Sequence, residues 1–244
     1  MEDQQSTTKI EAALYLIPVE LSDVPIDAVL PSGNAAIVRG IKHFIVENVR
    51  SARRFIKRCD RSINIDDLTF YPLNRHTAAT EAAGYLAPLV AGEPMGVISE
   101  AGCPAVADPG ADVVALAQQR GLRVKPLVGP SSIIMGLMGS GFNGQSFAFL
   151  GYLPIDNAAR TKAMHDMERR IVRDDQTQIF IETPYRNNAL IEQLVATLPP
   201  TLRLCIASDI TGAEEHIVTH TIAQWRQLPK PDCNKRPTIF LLYR

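Results

Sequence analysis

The stretch from Gly96 to Gly110, GVISEAGCPAVADPG, decides the fold. A short apolar run, Gly96-Val97-Ile98, breaks into Ser99-Glu100-Ala101-Gly102-Cys103-Pro104, then Asp108-Pro109-Gly110, and then the helical apolar set Val113, Val114 and Ala117. Directly beyond it, Arg123-Val124-Lys125-Pro126-Leu127 reads as a second strand, leading to the turn Gly129-Pro130-Ser131-Ser132 and a further helix. Glycine and proline punctuate any βα connection, so one such loop says little. Two successive strand ends with Gly/Pro/Ser loops say more, because ligands in an open α/β sheet bind beyond the carboxyl ends of the strands.

Working outward, strands and helices alternate along the chain, which implies α/β layers. Ala13 to Ile17 reads as a buried strand stopped by Pro18. Asn34 to Val46 holds a helix, a turn and the strand Phe44-Ile45-Val46, and Asn48 to Arg61 reads as a helix. Thr80 to Ala91 reads as one more, with Ala82, Ala83, Leu86, Leu89 and Val90 near helical spacing. After Gly139-Ser140-Gly141 the pattern restarts. Strands are expected at Phe147–Leu150, Ile179–Ile181, Leu202–Ala207 and Thr238–Tyr243, an extended segment at Glu215–Thr221, and helices at Ala158–Arg173 and Asn188–Leu198. The expected organisation is a disordered lead over 1–12, an N-terminal α/β domain over 13–127 and a C-terminal α/β domain over 128–244.

Hydrophobic residues make up 46% and charged residues 21% of the 244, an ordinary globular balance. The net charge of −1 gives no global nucleic-acid signal, so any RNA binding must rest on a local patch. No apolar run approaches a membrane span, and the polar N-terminus MEDQQSTTKIEA offers no signal-peptide core. Cys59, Cys103, Cys205 and Cys233 form no CxxC pair and read as reduced thiols, consistent with a cytoplasmic location and no structural zinc.

The local patch is a basic run. Arg50, Arg54, Lys57, Arg58 and Arg61 fall at helical spacing, joined by Arg53, in a stripe that suits phosphates or is simply a solvated face. A second run, Arg160 to Arg173, is diluted by Asp166, Glu168, Asp174 and Asp175 and reads as solvated. His216 and His220 would share a helix face, but Ile217-Val218-Thr219 favours a strand, which sets them about 13 Å apart and argues against a metal. No Walker lysine follows the glycine-rich loops, and no GxGxG follows the first strand.

SEAGCP…ADPG resembles the SDAGTP…SDPG loop of the tetrapyrrole-methylase superfamily, and most closely that of the ribosomal RNA small subunit methyltransferase I family. Lys125-Pro126-Leu127-Val128-Gly129-Pro130 lies where that family has PxPGP; Glu47-Asn48-Val49-Arg50 resembles its EDTR, Leu150 to Pro154 its EGFLP, and Glu182-Thr183-Pro184-Tyr185-Arg186 its ESxxR. The resemblance implies two αβα domains, with S-adenosylmethionine (SAM) in the interdomain cleft. It implies cofactor contacts at Pro18, Glu100, Ala101, Gly102, Asp108, Ser131, Ser132, Leu153 and Ala207. An Asp before Pro-Gly equally suits a turn or a helix cap, which leaves Asp108 open. Candidate catalytic residues are Glu47, Arg50, Glu182 and Arg186, each acid following an apolar strand; as an alternative, the Glu–Arg pairs only tie strand to helix.

The chain departs from the family elsewhere. Val19-Glu20-Leu21-Ser22-Asp23 stands where TPxGN is usual after the first strand, Asn74-Arg75-His76-Thr77-Ala78 replaces HDHNE, Asp209-Ile210-Thr211-Gly212 replaces ELTK, and Arg236-Pro237-Thr238 replaces KGE. Retained cofactor loops beside altered polar motifs suggest a kept SAM site with a changed acceptor site. The nearest resemblance implies methylation of a cytidine ribose 2′-hydroxyl in 16S rRNA by a homodimer that engages the small ribosomal subunit. The alternatives are a methyltransferase for a corrin or porphyrin, and a non-catalytic SAM- or RNA-binding paralogue.

Overall fold

The computed structural model describes residues 10–73, 77 and 79–244. Residues 1–9 of the expected lead, and Asn74, Arg75, His76 and Ala78 of the altered HDHNE segment, lie outside the described residues. The chain divides into two compact units, one through Pro130 and one from Ser131 to Arg244.

The first unit is a parallel sheet of β1 (Leu14–Ile17), β2 (His43–Val46), β3 (Thr69–Pro72), β4 (Met95–Ile98) and β5 (Val124–Pro126), in the order β3-β2-β4-β1-β5. Its inner strands β1 and β4 read as unbroken apolar runs because both faces are covered. Side chains alternate between faces: Phe44, Val46 and Ile98 join one buried cluster, Ile45, Met95 and Val97 the other. Helices α1 (Ile26–Val29), α2 (Ser32–Arg39) and α3 (Val49–Cys59) lie on the first face, through Leu30, Val38, Phe55 and Ile56. On the second lie α4 (Ala79–Tyr85), α5 (Ala87–Val90) and α6 (Ala111–Gln119), through Ala82, Leu86, Leu89, Val113 and Ala117.

Two expectations for this unit need correction. The single helix over Thr80–Ala91 is two, α4 and α5, broken at Leu86. Pro88 has no N–H for the carbonyl of Gly84 and its ring would strike it, so the helix stops a turn earlier. Arg61 lies beyond the end of α3, whose C-cap is Asp60, so the basic stripe is shorter than its spacing suggested. The strand β3 has no counterpart in the sequence reading.

The second unit is a mixed sheet of β6 (Phe147–Tyr152), β7 (Thr177–Ile181), β8 (Arg203–Ser208), β9 (His216–Thr221) and β10 (Thr238–Tyr243), ordered β6-β7-β10-β8-β9. β6 and β7 are parallel; β10 inserts antiparallel between β7 and β8, and β9 closes the edge antiparallel to β8. Helices α8 (Asn157–Asp174), α9 (Asn187–Thr197) and α10 (Ile222–Trp225) cover one face around Phe180, Leu204, Ile206 and Phe240. Helix α7 (Ser132–Ser140) covers the other, closely enough that a Cβ on Gly136 would stand 2.9 Å from Ile239. His216 and His220 lie on strand β9, and the His220 ring meets Trp225 edge-on at 4.8 Å. Among the described residues no helix is long and apolar enough to cross a membrane.

Candidate functional site

In the first unit, β1 leads through α1 and α2 to β2 on one side of the sheet, whereas β4 leads through α6 to β5 on the other. The connections leave adjacent strands toward opposite faces. A crevice therefore opens at their carboxyl ends, where ligands of open α/β sheets bind. Three loops meet there. Val19, after β1, exchanges both backbone hydrogen bonds with Gly102 of the β4 loop, at 2.9 and 3.0 Å. Gly129, after β5, packs on Pro18 so closely that a Cβ would stand 2.2 Å from its ring. The Cys103 thiol lies 3.4 Å from the Pro130 carbonyl oxygen, which accepts its hydrogen bond.

The β4 loop is held in an uncommon shape. Gly102 has φ +69° and Gly110 has φ +122°, and Ala105 and Ala107 take φ +63° and +61°. Left-handed alanines are strained, and such strain persists only where surrounding structure enforces it. Ser99 helps enforce it: its buried hydroxyl donates to the Gly102 carbonyl at 3.0 Å. The result places Asp108 half-buried, between two strained turns. Its carboxyl is pushed up to about 6, first by burial and then by the charges of Glu47 and Glu100. Asp108 is not the cap of α6, because the N-cap position belongs to Gly110 and has no side-chain cap.

Glu47 follows β2 directly and is exposed; together with Ser99 and Pro109 it lines a small cleft at the ends of β2 and β4. Asn48 caps α3 by accepting from the backbone N–H groups of Arg50 and Ser51, which leaves the Arg50 side chain exposed at the helix start. Ser51 donates to Glu100 at 3.0 Å and joins this helix to the β4 loop. Ala101 is exposed and Pro18 buried. The structure thus brings Pro18, Glu47, Arg50, Glu100, Ala101, Gly102 and Asp108 to one end of one sheet.

The second unit holds the rest. Ser131 caps α7, accepting from Ile134 N–H, and Ser132 is the first residue of that helix. Register alignment puts Ala207 and Ile181 both opposite Ile239, and Tyr152 beside Ile181, so Leu153, Glu182 and Ala207 lie at one end of this sheet. Leu153 and Ala207 are 5% and 1% exposed, and their side chains belong to the interior. Glu182 is buried; its Oε1 accepts from Thr183 N–H and from Arg186 Nη2, both at 2.6 Å. The Arg186 Nε is enclosed and has no acceptor among the described residues.

Sequence reading missed the acid Glu20, which stands in the altered segment after β1. It is 9% exposed and receives an ion pair from Arg58, whose guanidinium also donates to the Val24 carbonyl. Arg58 is therefore tethered to a buried partner while remaining exposed, and Arg50, Arg53, Arg54 and Lys57 are exposed along the same helix, with Arg53 lying 5.4 Å over the Phe70 ring. Nothing in the sequence links Glu20 to a residue so far along the chain. Among the described residues no three His, Cys, Asp or Glu side chains gather as a metal would require.

Fold and site together describe a two-unit α/β protein of the tetrapyrrole-methylase type. The fold is similar to that of the methyltransferase CobJ (TM-score 0.62, 15% identity, covering 95% of this chain and 94% of that one). It is likewise similar to that of the cobalt precorrin-4 methyltransferase CbiF (TM-score 0.57, 12% identity, 95% of each chain). At such identities the likeness is one of fold. No protein-family model matches the chain. Ribosomal RNA small subunit methyltransferase I of Mesorhizobium japonicum is 30% identical over 216 residues, 87% of this chain and 68% of that protein. The protein of the same name from Escherichia coli O157:H7 is 25% identical over 236 residues, 97% of this chain and 78% of that protein. The chain belongs to the ribosomal RNA small subunit methyltransferase I family.

Proposed function

We propose that this protein is a SAM-dependent methyltransferase acting on small-subunit ribosomal RNA, with a cytidine ribose 2′-hydroxyl as the acceptor. The observation that carries it is the strained β4 loop at the crevice between β1 and β4, with Asp108 flanked by Glu47 and Glu100. That acidic setting suits a sulfonium cation, and Pro18, Glu100, Ala101, Gly102 and Asp108 would hold the donor there. When bound, SAM supplies a methyl group already activated for in-line transfer, so the protein's work is chiefly to position donor and acceptor.

Glu47 stands at the mouth of this crevice, where a carboxylate helps orient or remove the hydroxyl proton of the ribose. Arg50, exposed three residues on at the start of α3, is placed to hold a nearby phosphate. The outward cations Arg53, Arg54 and Lys57 extend that track along the same helix. In the second unit, Arg186 contacts RNA and Glu182 fixes its direction. Two copies of the chain in a homodimer would lengthen the track; light scattering at micromolar concentration should return twice the chain mass.

The direct test pairs calorimetry with SAM and transfer of labelled methyl to small subunits purified from cells lacking this protein. Binding without transfer to ribosomal RNA would leave the cofactor assignment standing and remove the substrate. Absence of binding by well-folded protein would remove both.

A further inference from the structure

The loop after β7 presents an aromatic ring to solvent and holds it there. Tyr185 is 75% exposed, among the most exposed of the large apolar side chains. Its backbone is fixed on every side. Pro184 precedes it, Arg186 N–H donates to the Thr183 carbonyl at 2.9 Å, and Lys235 N–H donates to the Pro184 carbonyl at 3.0 Å. The neighbouring turn that supplies Lys235 is fixed too. Cys233 N–H donates to Asn188 Oδ1 at 2.8 Å, and the buried Asn187 amide donates to the carbonyls of Cys233 and Arg236. Lys235 itself is exposed, with φ +60°, and makes no ion pair among the described residues.

Beside the ring stands Arg186. One nitrogen is gripped by the buried Glu182, while the side chain as a whole stays 39% exposed. A guanidinium aimed by a buried carboxylate, with donor capacity left over, is preorganised for an anion. An exposed ring on a rigid turn, with Arg186 next in the chain and Lys235 on the hydrogen-bonded neighbouring turn, matches what single-stranded RNA requires: a flat surface for a base and positive charge for the adjoining phosphates. The backbones that carry ring, guanidinium and ammonium are brought together by hydrogen bonds between segments about fifty residues apart in sequence.

We propose that Tyr185, Arg186 and Lys235 form a docking platform for single-stranded RNA, with one base stacked on Tyr185 and its flanking phosphates on Arg186 and Lys235. This rests on the RNA-methyltransferase reading and names residues of its substrate recognition. Glu182 acts through Arg186 and is a positioning residue.

The test uses the full chain and a fluorescein-labelled, mixed-sequence single-stranded oligoribonucleotide of about 15 nucleotides, within the site sizes common for such surfaces. Tyr185→Ala should weaken binding by roughly 5- to 100-fold, the range one base–aromatic stack supplies, with an unchanged salt dependence. Tyr185→Phe should bind as the wild type does. Lys235→Ala should lower the slope of log affinity against log salt by about 0.7, one phosphate's worth on a single strand. Unchanged affinity in Tyr185→Ala, or equal losses in Tyr185→Ala and Tyr185→Phe, would overturn the platform. The two readings separate cleanly. Methyl transfer by the wild type with affinity independent of Tyr185 removes the platform alone, whereas Tyr185-dependent binding without transfer to ribosomal RNA removes the methyltransferase reading alone.

Discussion

Glu47 and Arg50 follow β2 as Glu182 and Arg186 follow β7, an apolar strand, an acid and then an arginine in both units, yet the two pairs have opposite fates. Glu182 is buried and shares one oxygen between a backbone N–H and its arginine. Glu47 is exposed, and its charge is felt instead by Asp108 on a neighbouring loop. The residues between acid and arginine make the difference. Asn48 caps α3 at once and turns Arg50 outward, whereas Thr183-Pro184-Tyr185 makes a turn that brings Arg186 back over Glu182. One sequence pattern thus builds a rigid clamp in one unit and an open acidic edge in the other.

The comparison breaks most readily at the clamp. Glu182→Ala would leave Arg186 Nη2 and Thr183 N–H without their acceptor. Losing one partner of a buried pair costs about 3–5 kcal/mol, and the partial exposure of Arg186 brings this to about 3 kcal/mol or less. Urea unfolding should show that loss, while Glu47→Ala should stay within about 0.5 kcal/mol of wild type, as exposed substitutions do. Equal losses at the two sites would end the distinction. If Glu182 acts only by aiming Arg186, the milder Glu182→Gln should slow single-turnover methylation and leave SAM affinity nearly unchanged.

The next effect belongs to the open edge. Gly102→Val forces a branched side chain into a left-handed backbone, at about 1–2 kcal/mol. Its Cβ would also press on Leu21 at 3.1 Å and disturb the Val19 bridge. The expected outcome is about 2 kcal/mol of lost stability together with much weaker SAM binding by calorimetry. Weakened folding with unchanged SAM affinity would mean that Gly102 serves the bridge alone.

Much of the architecture could be read from sequence, for a physical reason. Strands buried on both faces are uninterrupted apolar runs, and Phe44–Val46, Ile179–Ile181 and Thr238–Tyr243 were visible as such. The β3 strand was not, because Thr69–Pro72 ends in proline and lies at a sheet edge with little burial. Site residues on the β4 loop were legible as glycines and acids in a turn. Their electrostatics were not, since the rise in the Asp108 pKa comes from burial and then from Glu47, which follows a strand that pairs beside β4 only in the fold. Glu20 and Arg58 were hidden for the same reason, as was the restraint on Tyr185 supplied by Lys235.

Asp108 gives a smaller effect with a definite sign. Its folded pKa of about 6 lies above the ordinary 3.8, so the native state holds the proton more tightly than the unfolded chain. Below about pH 4 the group is protonated in both states and costs nothing; stability is lost as pH rises through about 6. Asp108→Asn should therefore be the more stable protein at neutral pH, by about 1 kcal/mol once solvent screening at a half-buried site is allowed for, with the gap closing toward about pH 4. A cationic ligand favours the ionised form, so SAM affinity of the wild type should rise between about pH 5 and 7, and that of Asp108→Asn should not. A variant no more stable than wild type at neutral pH would contradict the rise.

The finest test asks whether Glu47 truly belongs to the edge around Asp108. Burial is the larger cause of the raised pKa and Glu47 the first of two charges behind it. Glu47→Gln removes that charge and leaves the burial, so the midpoint of Asp108 should fall while remaining above 3.8. Carboxyl carbon NMR of the two proteins across the acid range would resolve such a change, and folding stability should hardly move, since Glu47 is exposed. A midpoint indifferent to Glu47 would mean that water screens the pair completely. Asp108 would then owe its proton to burial and to Glu100, and the case for Glu47 as a partner in the donor site would fall.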